Sequence, residues 1–173
     1  MDGLLVPLIR TDPHIDPERW SDFRAGEIFN INSGKYVPTR DKKPGRTPEV
    51  TSSATNNGVS RFLDLPANFP GGSISVARNG SVGTAFYQPV PFFATDDVRV
   101  WTAMKGALSV WEALFVCAVI ELEQPRYSYG RKWSLDQMRA TNLRLPATDG
   151  GQPDWGLMAD TIMGLKFSRA LVD

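Results

Sequence analysis

Residues 74–88 read ISVARNGSVGTAFYQ, with β-branched and aromatic residues interleaved with small ones on both sides of Asn79-Gly80. That pattern predicts two antiparallel strands, 73–77 and 83–88, joined through a tight turn. A short connection of this kind argues against a doubly wound sheet, whose parallel neighbours need long crossovers. The turn also carries Arg78, Asn79 and Ser81. Asn-Gly by itself is explained by a turn that needs positive φ. Three polar side chains within four residues raise a second reading, a surface that recognises a ligand.

Working outward, GEIFNI (26–31), SRFLDL (60–65) and DVRVW (97–101) read as further strands. GKYVPTRDKKPGRTPEV (34–50) holds three prolines and two glycines and is expected to be a long exposed loop. TSSATNNGV (51–59) reads as a polar turn. After residue 108 the period changes. Leu108, Trp111, Leu114, Phe115, Ala118, Val119 and Leu122 recur at helical spacing and define an expected buried face. Ser134 and Gln137 form a capping-box pattern for a short helix, TNLRLP (141–146) reads as a strand, and 153–167 as a last helix with Pro153 in its first turn. The order gives an α+β fold, a curved and mostly antiparallel sheet with a few packed helices. We expect an N-terminal segment over 1–19, one domain over 20–167 and a tail over 168–173.

With 42% hydrophobic and 22% charged residues the chain has the composition of a soluble globule, and no apolar run approaches the ~20 residues needed to span a bilayer. The N-terminus lacks the pattern of a secretory signal. Cys117 is the only cysteine, so no disulfide forms within the chain, and a reducing, cytoplasmic setting fits best. Lys and Arg balance Asp and Glu at 19 each, which argues against a polycation. The charges are nevertheless clustered. Lys35, Arg40, Lys42, Lys43 and Arg46 face only Asp41, while Arg126, Arg131, Lys132, Arg139 and Arg144 face only Asp136. Local basic patches on a neutral molecule suit a domain that meets phosphate on one face, although solvated surface charge gives the same pattern.

Neither a P-loop nor a G-x-G-x-x-G loop is present, so a nucleotide or dinucleotide cofactor has no cradle. His14 is the only histidine and lies between prolines and aspartates, which leaves a zinc site or a His-activated nucleophile without its usual parts. Asp96 and Asp97 are adjacent, so on a strand they point to opposite faces and at most one enters a metal site. We expect no catalysis, no metal and no cofactor.

Taken as an ordered set, WSDFRAGEIFNINSGKYVP (20–38), VTSSATNNGVSRFLD (50–64), GGSISVARNGSVGTAFYQPVPFFATDDVRVW (71–101), YSYGRKWSLDQM (127–138) and LRLPATDGGQPDW (143–155) resemble the target-recognition domain of restriction-modification specificity subunits, closest to type I and related bifunctional systems. The resemblance implies a curved sheet lying over the DNA major groove, loops that contact bases, and docking on an adenine-N6 methyltransferase and its restriction subunit. A full specificity subunit carries two such domains. A half-subunit that forms a homodimer, a module of a longer enzyme and a fragment therefore all stay open here. So does a module that binds a methyltransferase or nuclease, as regulator or decoy, without reading DNA.

On that reading Arg78 and Asn79 have the geometry to engage base edges bidentately, with Ser81 beside them. Ser52, Ser53, Thr55, Asn56 and Asn57 supply short polar groups for bases or phosphates. Arg131 and Lys132 pair with phosphate, Tyr127 and Tyr129 offer rings and hydroxyls, and Lys35, Lys42 and Lys43 add salt-dependent affinity. Tyr127 and Tyr129 read equally well as core rings, and the five tryptophans read better as packing residues than as stacking platforms.

Overall fold

The computed structural model describes residues 16–128, 130–166 and 168. His14, Tyr129 and most of the expected terminal segments lie outside them. In chain order the elements are β1 (Trp20–Arg24), α1 (Ala25–Ile28), β2 (Phe29–Ser33), β3 (Pro44–Val50), β4 (Val59–Leu63), β5 (Ser73–Ala77), β6 (Ala85–Gln88), β7 (Phe93–Ala94), β8 (Val98–Ala103), α2 (Val110–Glu121), α3 (Leu135–Ala140), β9 (Asn142–Pro146) and α4 (Trp155–Gly164). Single 3₁₀ turns interrupt the connections at Thr39–Asp41, Asn56–Gly58 and Gln124–Arg126.

The strands form three sheets, ordered β2-β8-β5-β6, β4-β3-β7 and β1-β9. Every pairing is antiparallel except β3 with β7. This is the α+β architecture expected, with the sheet divided. The opening stretch pairs in the register its alternation requires, Ile74 opposite Tyr87 and Val76 opposite Ala85.

β5 is buried along its whole length, which reflects cover on both faces. Ile74 and Val76 join the main core with Phe29, Ile31, Trp101, Val116 and Ile120. On β8, Val98 and Val100 belong instead to a second cluster with Val50, Phe92 and Ala94. A strand between two apolar layers must satisfy its polar groups internally. Gln88 accordingly donates to Ser75 Oγ at 3.0 Å and to the Asn57 carbonyl at 3.0 Å.

Several local expectations need correction. Residues 26–28 turn as the end of α1, so the strand expected over 26–31 begins at Phe29. The segment 34–50 is not loop throughout, because 44–50 forms β3 despite its prolines. β3 meets β7 only from Glu49 onward, and its pairing with β4 is shifted between Pro44 and Thr47. An unpaired edge and a bulge are the places where a sheet tolerates a residue without an N–H.

Pro153 precedes α4, whose cap is Asp154, with Oδ1 accepting from Leu157 N–H at 2.9 Å. On α2 the buried line is Ala113, Val116, Cys117 and Ile120, together with Phe115, while Ala118 is exposed and Leu122 is 75% exposed. The helix is apolar almost all round, so its period marks a helix without marking which side faces the core. Four of the five tryptophans pack: Trp101 and Trp133 are fully buried, and Trp20 and Trp155 contact Phe115 and Phe29 at ring distances of 5.6 and 6.0 Å, while Trp111 is partly exposed on α2.

Candidate nucleic-acid interface

Antiparallel order alone collects one set of connections. β2 ends, β8 begins, β5 ends and β6 begins at the same edge of the four-stranded sheet. β3 and β7 run parallel and both end there, and Thr95 N–H donates to Val50 O at 3.0 Å. The segments 33–35, 51–58, 78–84 and 94–98 therefore form one rim.

Short contacts fix their order. Gly34 N–H donates to Val98 O at 3.0 Å, and a Cβ on Gly34 would lie 2.0 Å from the Thr95 carbonyl oxygen. Only glycine lets this backbone rest on the 94–98 turn. Arg78 N–H donates to Asp97 O at 3.0 Å. A Cβ on Gly80 would sit 3.8 Å from Ser52 O, and one on Gly83 2.9 Å from Gln124 Cγ. The Gln124–Arg126 turn leads straight into the tight 128–131 turn, where Ser128 and Arg131 exchange backbone hydrogen bonds of 3.1 and 3.0 Å.

Around the rim, Lys35 projects into solvent, its backbone held by a 2.9 Å bond to Ala94 O. Asn56, Asn57 and Gly58 have φ of 52°, 53° and 74°, an unusual left-handed run that asparagine and glycine tolerate. Asn57 Nδ2 donates to Tyr87 O at 2.8 Å, so this side chain anchors the turn to β6, and Asn56 Nδ2 donates to Val59 O at 2.8 Å. Ser53 Oγ accepts from Thr55 N–H at 3.2 Å, which leaves Thr55 exposed at the tip. Ser52 and Ser81 are partly exposed beside each other's turns. Arg131 and Lys132 are exposed. Among the described residues, Lys35, Arg131 and Lys132 have no ion pair or side-chain hydrogen bond.

The connection runs over 78–84, two residues longer than expected, because β6 begins at Ala85 and not at Gly83. Gly80 and Gly83 adopt φ of 62° and 84°, whereas Asn79 does not have positive φ. Asn79 is thus not explained by turn geometry. Its Nδ2 donates to Asp97 Oδ1 in a short hydrogen bond, and Arg78 Nη2 lies 3.9 Å from the same oxygen. Arg78 Nε and Asn79 Oδ1 are buried and have no hydrogen-bond partner among the described residues. Arg99 is buried next to them, donating from Nη1 to Asp96 O at 2.9 Å and to Val98 O at 3.2 Å. Burial first, and then the charge of Arg78, lower the Arg99 pKa from its ordinary value, with Asp96 and Asp97 opposing.

Three of the residues singled out in the sequence stand apart from this arrangement. Lys42 donates to Glu49 Oε1 at 2.5 Å and is largely covered. Lys43 precedes β3, and its carbonyl accepts from Asp64 N–H at 2.8 Å at the other end of the β3–β4 ribbon, away from the rim. The Tyr127 ring is half-buried and stacks on Trp133 at 4.9 Å, 11° from parallel, so one of its faces is already occupied. Of the remaining second basic group, Arg126 pairs with Glu123 at 3.1 Å, while Arg139 and Arg144 donate to the carbonyls of Ile31 and Pro17 at 2.8 and 3.3 Å. Sequence reading missed Asp97 as a partner of the Asn-Gly turn and Glu49 as the centre of an ion cluster.

The divided α+β scaffold thus gathers polar loops at one rim together with Lys35, which is without an ion pair among the described residues. Residues 17–162 match the family model described as the type I restriction modification DNA specificity domain, and the chain belongs to that family. It is 33% identical over 148 residues to the type II restriction enzyme specificity subunit S.BcgI of Heyndrickxia coagulans, a match covering 85% of this chain and 43% of that protein.

Its fold is similar to that of the S subunit of the type I restriction-modification system from M. genitalium, with a TM-score of 0.65 at 20% identity over 88% of this chain and 39% of that one. The HsdS subunit from Thermoanaerobacter tengcongensis gives a TM-score of 0.60 at 14% identity over 92% of this chain and 41% of that one. The chain thus spans about two fifths of the length of these relatives.

Proposed function

We propose that this chain is a non-catalytic DNA reader that recognises one part of a double-stranded target and lends that specificity to an adenine-N6 methyltransferase and its restriction subunit in the cytoplasm. A second recognition domain, from another copy in a homodimer or from a longer chain, completes the target. One observation carries the reading: the turns bearing Ser52, Thr55, Asn56, Arg78, Asn79 and Ser81 share a rim with Lys35, whose ammonium has no partner within the described residues, and Gln124, at the head of the segment that leads to Arg131 and Lys132, lies against Gly83 on that rim.

Phosphate contacts from such cations position a protein on the duplex, and base-edge contacts from short polar groups select sequence. Residues 20–167 are the proposed recognition unit. The absence of a nucleotide cradle from the sequence and the solitary His14 support assigning the chemistry to a partner.

Selection from a pool of short duplexes of random sequence tests this. Duplexes retained by the full chain should share a motif, and binding should weaken with salt with a log–log slope of at least about −2.7 for three phosphate contacts. Retained duplexes indistinguishable from the input pool would contradict the proposal.

A further inference from the structure

A reading head that met every duplex equally well would carry no information, so the disposition of Arg78 and Asn79 in the unbound chain matters. Both are held by one carboxylate. Asp97 Oδ1 accepts from Asn79 Nδ2 and faces Arg78 Nη2 at 3.9 Å, and the Asp97 backbone oxygen accepts from Arg78 N–H at 3.0 Å. The carboxylate itself remains 42% exposed on the rim. Beside it, Arg78 Nε and Asn79 Oδ1, a donor and an acceptor without a hydrogen-bond partner among the described residues, are shielded from water. Buried polar atoms without partners are destabilising, so the loop holds back two groups that gain from a new partner.

Resting on the DNA reading above, we infer that Asp97 is a positioning residue that sets specificity: it withholds Arg78 and Asn79 from phosphate and releases them only to a base edge. Bare phosphate offers acceptors to Arg78, but its charge is repelled by the exposed carboxylate, so contact with arbitrary sequence is disfavoured. A base edge is uncharged. A purine edge offering acceptor and donor groups side by side can satisfy Arg78 and Asn79 together, replacing the bonds to Asp97. The carboxylate therefore acts against the wrong ligand more than it favours the right one.

The substitution Asp97→Asn keeps an oxygen acceptor for Asn79 and removes the charge. With the full chain and a random-sequence duplex as probe, Asp97→Asn should steepen the salt slope by about 0.9 and tighten binding roughly eightfold at 0.1 M salt. Binding to the duplexes selected by the wild-type chain should change far less, so the ratio of selected to random affinity falls. Asp97→Ala, which also removes the acceptor, should in addition weaken binding to the selected duplexes.

A purely structural role would loosen the turn and weaken both duplexes alike with the slope unchanged, and that result overturns the inference. An unchanged slope and ratio does the same. A wild-type chain that selects no motif overturns the DNA reading itself, whereas a selected motif with an indifferent Asp97→Asn variant removes only the role of Asp97.

Discussion

Replacement of Glu49 by alanine should lower the unfolding free energy by about 3 kcal/mol, the lower end of what breaking a buried ion pair costs. The Glu49 side chain is 1% exposed and meets Lys42 Nζ at 2.5 Å, Arg61 Nε at 2.8 Å and Ser60 Oγ at 2.9 Å. Without it Arg61, already half exposed, turns to water, but the Lys42 ammonium, 13% exposed, is left covered and unpaired. In a chain of this length the loss should shift the thermal midpoint downward by roughly 6–12 °C.

Burial raises the Glu49 pKa, but hydrogen bonds from Lys42 and Ser60 and the charges of Lys42 and Arg61 outweigh it and hold the pKa below the ordinary glutamate value. A group whose folded pKa is depressed contributes stability that is complete above its unfolded pKa and lost as pH falls through the folded value. The gap between wild type and Glu49→Ala should therefore be full at neutral pH and close on acidification below about pH 4.3. Denaturant unfolding across that range checks both statements. A pH-independent gap would mean that lost packing, and not the ion cluster, carries the effect.

Simultaneous replacement of Lys35, Arg131 and Lys132 by alanine should reduce DNA affinity at 0.1 M salt by roughly two to three orders of magnitude and flatten the salt slope by about 2.7, if each cation neutralises one phosphate. All three are solvent-exposed and free of ion pairs among the described residues, so stability should be nearly unchanged. Lys42→Ala is the instructive contrast. Its ammonium is committed to Glu49, so it should lower stability while leaving the salt slope almost unaltered. Mobility-shift titrations at several salt concentrations, paired with unfolding curves, separate the two behaviours. Equal slopes for the triple variant and wild type would remove these side chains from the phosphate-contacting set.

What the sequence revealed and what it hid divide along the range of the interactions. The β5–β6 pairing, the capping box of α3 and the turn at 51–58 are written in neighbouring residues, through alternation, a Ser–Gln spacing and an Asn-Asn-Gly run. The buried side of α2 is set by α4, β6 and β9, and an all-round apolar helix carries no local mark of it. β3 was hidden because proline counts as a breaker unless the strand edge it faces is unpaired.

The candidate site was legible as a set of segments and not as a set of side-chain partners. Lys42 reads as a surface lysine until Glu49, seven residues on, is seen to be buried beneath it. Asp97 reads as one of two adjacent acids until folding brings it to Asn79, eighteen residues earlier in the chain. Each is a contact between a carboxylate and a polar side chain on a different segment, for which sequence offers composition and no pairing.

Amide hydrogen exchange of the full chain, with and without a duplex it has selected, tests the rim most directly. The account predicts slowed exchange within 33–35, 51–58, 78–84, 94–98 and 128–132, and none at the opposite end of the β3–β4 ribbon around 43–46 and 62–65. Protection confined to that opposite end, or spread evenly over the molecule, would contradict it.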